Sequence, residues 1–215
     1  MYKNLCPEKA LIFRITHRDN IPWMLENGLH CRDSDTVDPN FIQIGDPDLI
    51  DKRQTRIVPC APGGTLSDYI PFYFTPFSPM FLNINTGYRG IRKRNNEEIV
   101  ILVSSLRKLE KMKVPFLFTD RHAYLAAAQF TSDLTRLTDI DWGILQRRDF
   151  QRDPLNDPGK VERYEAEALV HHHLPVSAFG GIICYNDSIA KALKDGAAAR
   201  ELNLEIVVKQ DWYFR

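Results

Sequence analysis

The sequence predicts an α+β fold, on three observations. Segments with strand character outnumber those with helical spacing and do not alternate regularly with them, which disfavours a doubly wound sheet. No internal repeat or low-complexity tract interrupts the 215 residues. Hydrophobic residues make up 44% and charged residues 26%, ordinary globular usage that excludes wholesale disorder and a coiled coil and suits one domain spanning 1–215.

The elements follow in order. Ala10–His17 reads as a strand, and a short helix comes next, capped by Asp19 or Asn20, with Pro22 in its first turn, Trp23, Met24 and Leu25 as its apolar face, and Gly28 at its end. From Cys31 to Asp68, polar and turn-forming residues dominate and long apolar periodicity is missing. A stretch of that length without structure implies a task such as covering a ligand. Strands are expected at 70–74 and 80–84, a polar turn at 92–96, a β-branched strand at 98–103 and another at 115–119. Asp120 is placed to cap the strongest helix of the chain, with Tyr124, Leu125, Ala128, Phe130, Leu134 and Leu137 at approximate helical spacing. A further helical turn or two is read at 141–145 and a charged, Pro-containing loop at 146–160. Strands at 167–173 and 180–185, a helix near 188–200 and a strand at 204–208 complete the reading.

Charge and cysteines narrow the function classes. Lys and Arg number 28, as do Asp and Glu, so a nucleic-acid partner has to be held by a local patch and not by the field of the whole molecule. No apolar run approaches the roughly 20 residues of a membrane span, and the first nine residues lack a signal-peptide core, so no membrane partner is expected. Cys6, Cys31, Cys60 and Cys184 lie far apart, which suggests reduced thiols in a cytoplasmic protein.

Five groups of residues have chemical potential. His171 and His173 share a strand face with Glu167 and can be read as metal ligands, or as ordinary residues near a sheet end; no second cluster has matching spacing. Gly63-Gly64 fits an anion nest or, more simply, a tight turn, since it lacks Walker or Rossmann spacing. Lys52, Arg53 and Arg56 can grip a pyrophosphate or a nucleic-acid backbone, or belong to a solvated loop. Arg147, Arg148, Arg152, Lys160 and Arg163 alternate with acids and fit either a single-strand groove or exposed surface. Glu165 and Glu167 open a strand after a loop, a position shared by catalytic carboxylates and ordinary surface ones.

Taken together, the run from Val58 through Pro-Phe-Tyr-Phe (71–74) to Ser78-Pro79-Met80 resembles the core signature of the DarT toxins, bacterial enzymes that ADP-ribosylate DNA. The similarity extends to Phe13–His17, Phe118–His122, Arg163–Val170 and Tyr185-Asn186, and so covers nearly the whole chain. The resemblance implies an ADP-ribosyltransferase fold, with a split antiparallel or mixed β core flanked by helices. It implies NAD as substrate, no metal, transfer of ADP-ribose to a base of single-stranded DNA with thymine first and guanine in a related branch, and a DarG-type macrodomain antitoxin as partner. It assigns Glu167 as the catalytic glutamate and Arg53 as the catalytic-site arginine, with Arg56 close enough to keep that choice open. It places His17 in the nicotinamide region, His122 near the nucleic acid, and the stretch 146–166, with Arg147, Arg148 and Arg152, in substrate recognition. Tyr73 and Phe74 become the aromatics available to nicotinamide or the target base, one of them being expected in the core.

The Glu165/Glu167 pair also resembles arginine-targeting ADP-ribosyltransferases, which leaves an RNA or protein acceptor as the alternative within the fold. A catalytically idle nucleic-acid-binding module is the alternative outside it.

Overall fold

The protein is described from a computed structural model covering residues 2–214. Its strands are β1 (Leu11–His17), β2 (Leu29–His30), β3 (Tyr69–Tyr73), β4 (Ile99–Ser105), β5 (Phe116–Thr119), β6 (Phe130–Thr131), β7 (Glu167–His171), β8 (His173–Leu174), β9 (Gly181–Cys184) and β10 (Ile206–Val208). Its helices are α1 (Ile21–Asn27), α2 (Pro47–Arg53), α3 (Pro79–Thr86), α4 (Leu106–Lys111), α5 (Trp142–Arg147), α6 (Lys160–Tyr164) and α7 (Asp187–Ala198). Eight strands form one sheet in the order β10-β9-β4-β1-β3-β7-β5-β6; only the β10/β9 pair is parallel, and β2 and β8 form a separate ladder. This is the α+β architecture that the sequence pattern predicts, with the mixed, mostly antiparallel core that the family resemblance implies.

The sheet is split at its middle. β1 pairs with β4 over seven positions, but with β3 through one, Phe13 opposite Tyr73. Pro71 contributes to the gap. In a strand the N–H and C=O of one residue point to the same edge, and the Pro71 carbonyl accepts from Arg14 Nη1 at 2.8 Å. Its missing N–H therefore falls on the β1 side, where a ladder bond would have formed. The opening between β1 and β3 is where the main cavity lies.

Two expected elements are different in the structure. The segment 80–84, expected as a strand, lies in α3. Ser78 caps that helix by accepting from the Phe81 N–H at 3.2 Å, Pro79 opens it, and Gly87 closes it in the left-handed region at φ 75°. These cap signals outweigh the ambiguous apolar run between them. The helix expected from Asp120 to Leu137 does not form; the segment is a loop, the two-residue β6 and a 3-10 turn at 134–139. Its backbone bonds elsewhere: the His122 N–H donates to the Glu162 carbonyl at 2.8 Å and the Ala123 N–H to the Glu167 carboxylate at 2.9 Å. Asp120 accepts from the Gln129 N–H and pairs with Arg121 instead of capping a helix.

The polar stretch 31–68 contains the α-helix α2, capped by Asp46 and opened by Pro47, and a 3-10 turn at Leu66–Asp68. The fully buried Asn20 clamps this stretch to the core, donating to the Ile42 carbonyl at 2.9 Å and accepting from its N–H at 2.8 Å. The side chain read as a helix cap thus serves as a tether. The strand 167–173 breaks at His172, whose φ is 56°.

Candidate active site

β7 begins with a carboxylate that is nearly inaccessible: Glu167 is 2% exposed. Its Oε2 accepts from Arg53 Nη1 at 2.9 Å, and its Oε1 accepts from the Ala123 N–H at 2.9 Å and lies 3.4 Å from His122 Nδ1. Thr119 Oγ1 accepts from its backbone N–H at 3.2 Å, fixing the start of the strand. Burial pushes the Glu167 carboxyl upward, but the Arg53 guanidinium, the neighbouring His122 ring and the Ala123 amide outweigh burial and hold it below the ordinary carboxylate range. Glu167 is therefore an ionised group aimed by three elements.

Arg53 reaches it from the last turn of α2, where a cation also suits the helix dipole. Its Nη2 is buried without a hydrogen-bond partner among the described residues. Arg56 is turned away, donating from Nη2 to the Leu125 carbonyl at 2.9 Å. Of the two candidate arginines, Arg53 is the one brought to Glu167.

The split sheet and the 31–53 segment enclose a cavity of 390 Å³. Arg14 and Thr16 from β1, Tyr73 from β3, Met80 from α3, Arg53, His122 and Glu167 all line it. Arg14 is a lining residue that stands outside the site groups the sequence suggests. The signal is an arginine in mid-strand between Phe13 and Ile15, where a half-buried charge needs a reason. Burial, assisted by the Arg53 charge, pulls its pKa down to about 10, and its Nε has no partner among the described residues. Ser67 Oγ, also in the lining, is likewise unpartnered. These three spare polar groups, two of them cationic, fit a ligand that carries phosphates and hydroxyls.

A second cavity of 340 Å³ adjoins, lined by His122, Leu125, Arg152, Pro154, Pro158, Glu162 and Glu165 among others. His122 lines both. Burial raises the Glu165 carboxyl; His122 opposes this, while Glu167 and Glu162 reinforce it.

The remaining predicted residues divide. Tyr73 stands opposite Glu167 in the β3/β7 register, and burial, followed by the nearby carboxylates, raises its hydroxyl so that it stays protonated. Phe74 is fully buried against Phe118 and Trp142 and lies in the core. His17 is buried outside both cavity linings; its Nδ1 accepts from the Asp19 N–H and its Nε2 is 3.5 Å from Glu98. Arg152 is exposed at the second cavity and Arg147 is exposed on α5. Arg148 packs its guanidinium 3.7 Å from the Phe77 ring centre. Gly63-Gly64 forms a closed turn, with the Gly63 N–H donating to the Cys60 carbonyl and the Gly63 carbonyl accepting from the Tyr69 hydroxyl. His171 lies against Tyr69, His173 stacks on His30, and no group of three or more His, Cys, Asp or Glu among the described residues is placed to hold a metal ion. No helix among the described residues is long and apolar enough to cross a membrane.

The same architecture recurs in known proteins. The sequence model of a family described as "ssDNA thymidine ADP-ribosyltransferase, DarT" matches residues 13–214. A DNA ADP-ribosyl transferase from Escherichia coli O127:H6 (strain E2348/69 / EPEC) is 54% identical over 211 residues, covering 98% of this chain and 96% of its own. One from Thermus sp. (strain 2.9) is 34% identical over 219 residues, covering 99% and 100%. The solved Thermus sp. 2.9 DarT in complex with ADP-ribosylated ssDNA superimposes with a TM-score of 0.85 at 30% identity over 97% of this chain and 98% of that one. Its complex with NAD+ gives 0.79 at 31% identity, over 97% and 100%. The class these proteins share, and the one the sequence predicts, is that of enzymes transferring ADP-ribose to DNA. Within that class, the chain belongs to the DarT family.

Proposed function

We propose that residues 1–215 act as one catalytic unit that transfers ADP-ribose from NAD to thymine in single-stranded DNA, releasing nicotinamide. The observation that carries this reading is the Arg53–Glu167 pair, 2.9 Å apart in the larger cavity and beside His122, which lines both cavities. The larger cavity, with its spare donors on Arg14 and Arg53, suits the dinucleotide; the smaller suits an unstacked base.

In this reading the bond between ribose and nicotinamide lengthens and positive charge grows on the sugar. The ionised Glu167 lies where it stabilises that charge in a water-poor site. The base nitrogen bonds to the anomeric carbon as nicotinamide departs with the electron pair of the broken bond. The proton on that nitrogen passes to Glu167, which accepts it as attack makes the base acidic. Arg53 holds Glu167 through Nη1 and keeps Nη2 for a phosphate or carbonyl oxygen, bringing donor and acceptor into line. Tyr73 offers its ring to nicotinamide from the opposite strand. A single-stranded target fits because a paired base hides its ring nitrogen.

The family name supports thymine as acceptor, and the likeness to DarT toxins supports action in the cytoplasm as the toxin of a pair, countered by a DarG-type macrodomain antitoxin. The four cysteines are all free thiols, in keeping with a reducing compartment. Incubation with NAD and single-stranded oligonucleotides differing in one base tests the reading by mass spectrometry. Gain of one ADP-ribose on thymine-containing strands is expected, and its removal by an added macrodomain hydrolase. Gain on guanine strands alone, or on RNA or protein alone, contradicts it.

A further inference from the structure

We propose that Leu155 is a wedge that enters the DNA strand beside the target base and keeps that base turned out of its stack. Leu155 is 92% exposed, the most exposed of the large hydrophobic residues. A lone surface leucine needs no explanation, but this one is presented by a built loop. Asp153 and Asp157 bridge as antiparallel partners, with the Asp157 N–H donating to the Asp153 carbonyl at 2.9 Å. The Asp153 side chain accepts from the Asn156 N–H at 3.1 Å and from its amide at 3.0 Å. Arg163 holds Asp157 at 2.8 Å and Asp141 at 3.3 Å, and Lys160 holds Asp149 at 2.8 Å. These contacts fix the tip, and the tip is apolar while Gln151, Arg152, Asp153, Asn156 and Asp157 around it are polar.

The position gives the occupant. Pro154 and Pro158, on either side of Leu155, line the second cavity together with His122 and Glu165, and Arg152 supplies an exposed cation at its rim. A strand whose base enters that cavity has one phosphate near Arg152 and a gap where the base was stacked. An aliphatic side chain at the tip fills such a gap, as apolar wedges do when they separate neighbouring bases. A protein partner would not require the leucine to stand between two prolines that line a pocket containing His122 and Glu165.

This inference rests on the reading of the chain as a modifier of single-stranded DNA. The test compares wild type, Leu155→Ser and Leu155→Met on an oligonucleotide with one thymidine, and on the same oligonucleotide with abasic sites on both sides of it. Leu155→Ser is expected to lower kcat/KM on the intact strand about tenfold, the scale of losing the partial burial of one aliphatic side chain. Leu155→Met is expected to restore it, and the affinity for NAD and the melting temperature to stay unchanged. On the abasic strand the Ser variant and wild type should agree within about twofold, because no neighbour remains to be separated. Equal rates on the intact strand, or an equal loss on both strands, overturns the wedge. Absence of product with wild type on any DNA overturns the DNA reading itself, and is told apart by the wild-type reaction alone.

Discussion

Glu167 is anchored so fully that its roles in chemistry and in folding overlap. Removing one partner of a buried ion pair leaves an uncompensated charge, at a cost of about 3–5 kcal/mol. Glu167→Ala is therefore expected to lower the melting temperature by exposing the deficit of Arg53 and orphaning the Ala123 N–H. Glu167→Gln keeps an acceptor for that amide and should melt closer to wild type while losing about a thousandfold in transfer rate. A Gln variant with wild-type turnover contradicts the assignment. The pH behaviour follows from the same contacts. Because the folded state holds Glu167 below its ordinary value of 4.5, its contribution is present above that pH and is lost as pH falls through the folded value. Chemical denaturation between pH 6 and pH 3 should show a steeper acid loss in wild type than in Glu167→Gln. Glu165 has the opposite sign. Its carboxyl is raised by burial, so the fold favours the neutral form and stability declines as pH rises through the folded value. Glu165→Gln is expected to raise the melting temperature at pH 8 and leave it unchanged at pH 4; a drop at pH 8 contradicts this.

At the level of elements, the two misread segments differ in cause, one local and one long-range. Strand-like Met80–Ile84 carried too short an apolar run to fix its period, and the deciding signals were Ser78-Pro79 before it and Gly87 after it. In the 120–137 segment the periodicity was present, but the amides of His122 and Ala123 are used by Glu162 and Glu167, partners 40 and 44 residues away. Local spacing carries no information about bonds of that range, so the loop that shapes the site was hidden, whereas β4, with its run of buried β-branched residues, was plain. Arg53, Glu167, His122 and Tyr73, each singled out in the sequence, line one cavity, whereas Arg14 carries only the weak signal of an arginine in mid-strand and the Asn20 tether emerges only once the chain is folded. Two element-scale predictions follow from the turns. Gly64 adopts φ 76°, and a Cβ there would meet the Asp68 carboxylate that accepts from the Thr65 N–H at 2.7 Å. Gly64→Ala should destabilise the protein by about 1–3 kcal/mol in urea unfolding, and an unchanged midpoint contradicts it. Arg148, at the left-handed end of α5 and stacked on Phe77, should affect stability when cut to Ala, whereas Arg152→Ala should weaken DNA binding with NAD affinity kept. The reverse pattern contradicts that division of the loop.

For the molecule as a whole, the arrangement depends on a sheet that parts between β1 and β3. The missing Pro71 N–H and the single Phe13/Tyr73 pairing open the core, the 31–53 segment closes over the opening, and α2 delivers Arg53 to the carboxylate at the head of β7. In the proposed reading fold and chemistry are one design: the cavity for the dinucleotide opens where the sheet lacks hydrogen bonds. The most direct measurement is a crystal structure with a non-hydrolysable NAD analogue bound. The account predicts the nicotinamide-bearing ribose in the larger cavity, its anomeric carbon about 3–4 Å from a Glu167 oxygen, with Arg53 in contact with both. An analogue seated with that carbon beyond the reach of Glu167, on the far side of the 31–53 segment or in the second cavity, would contradict it.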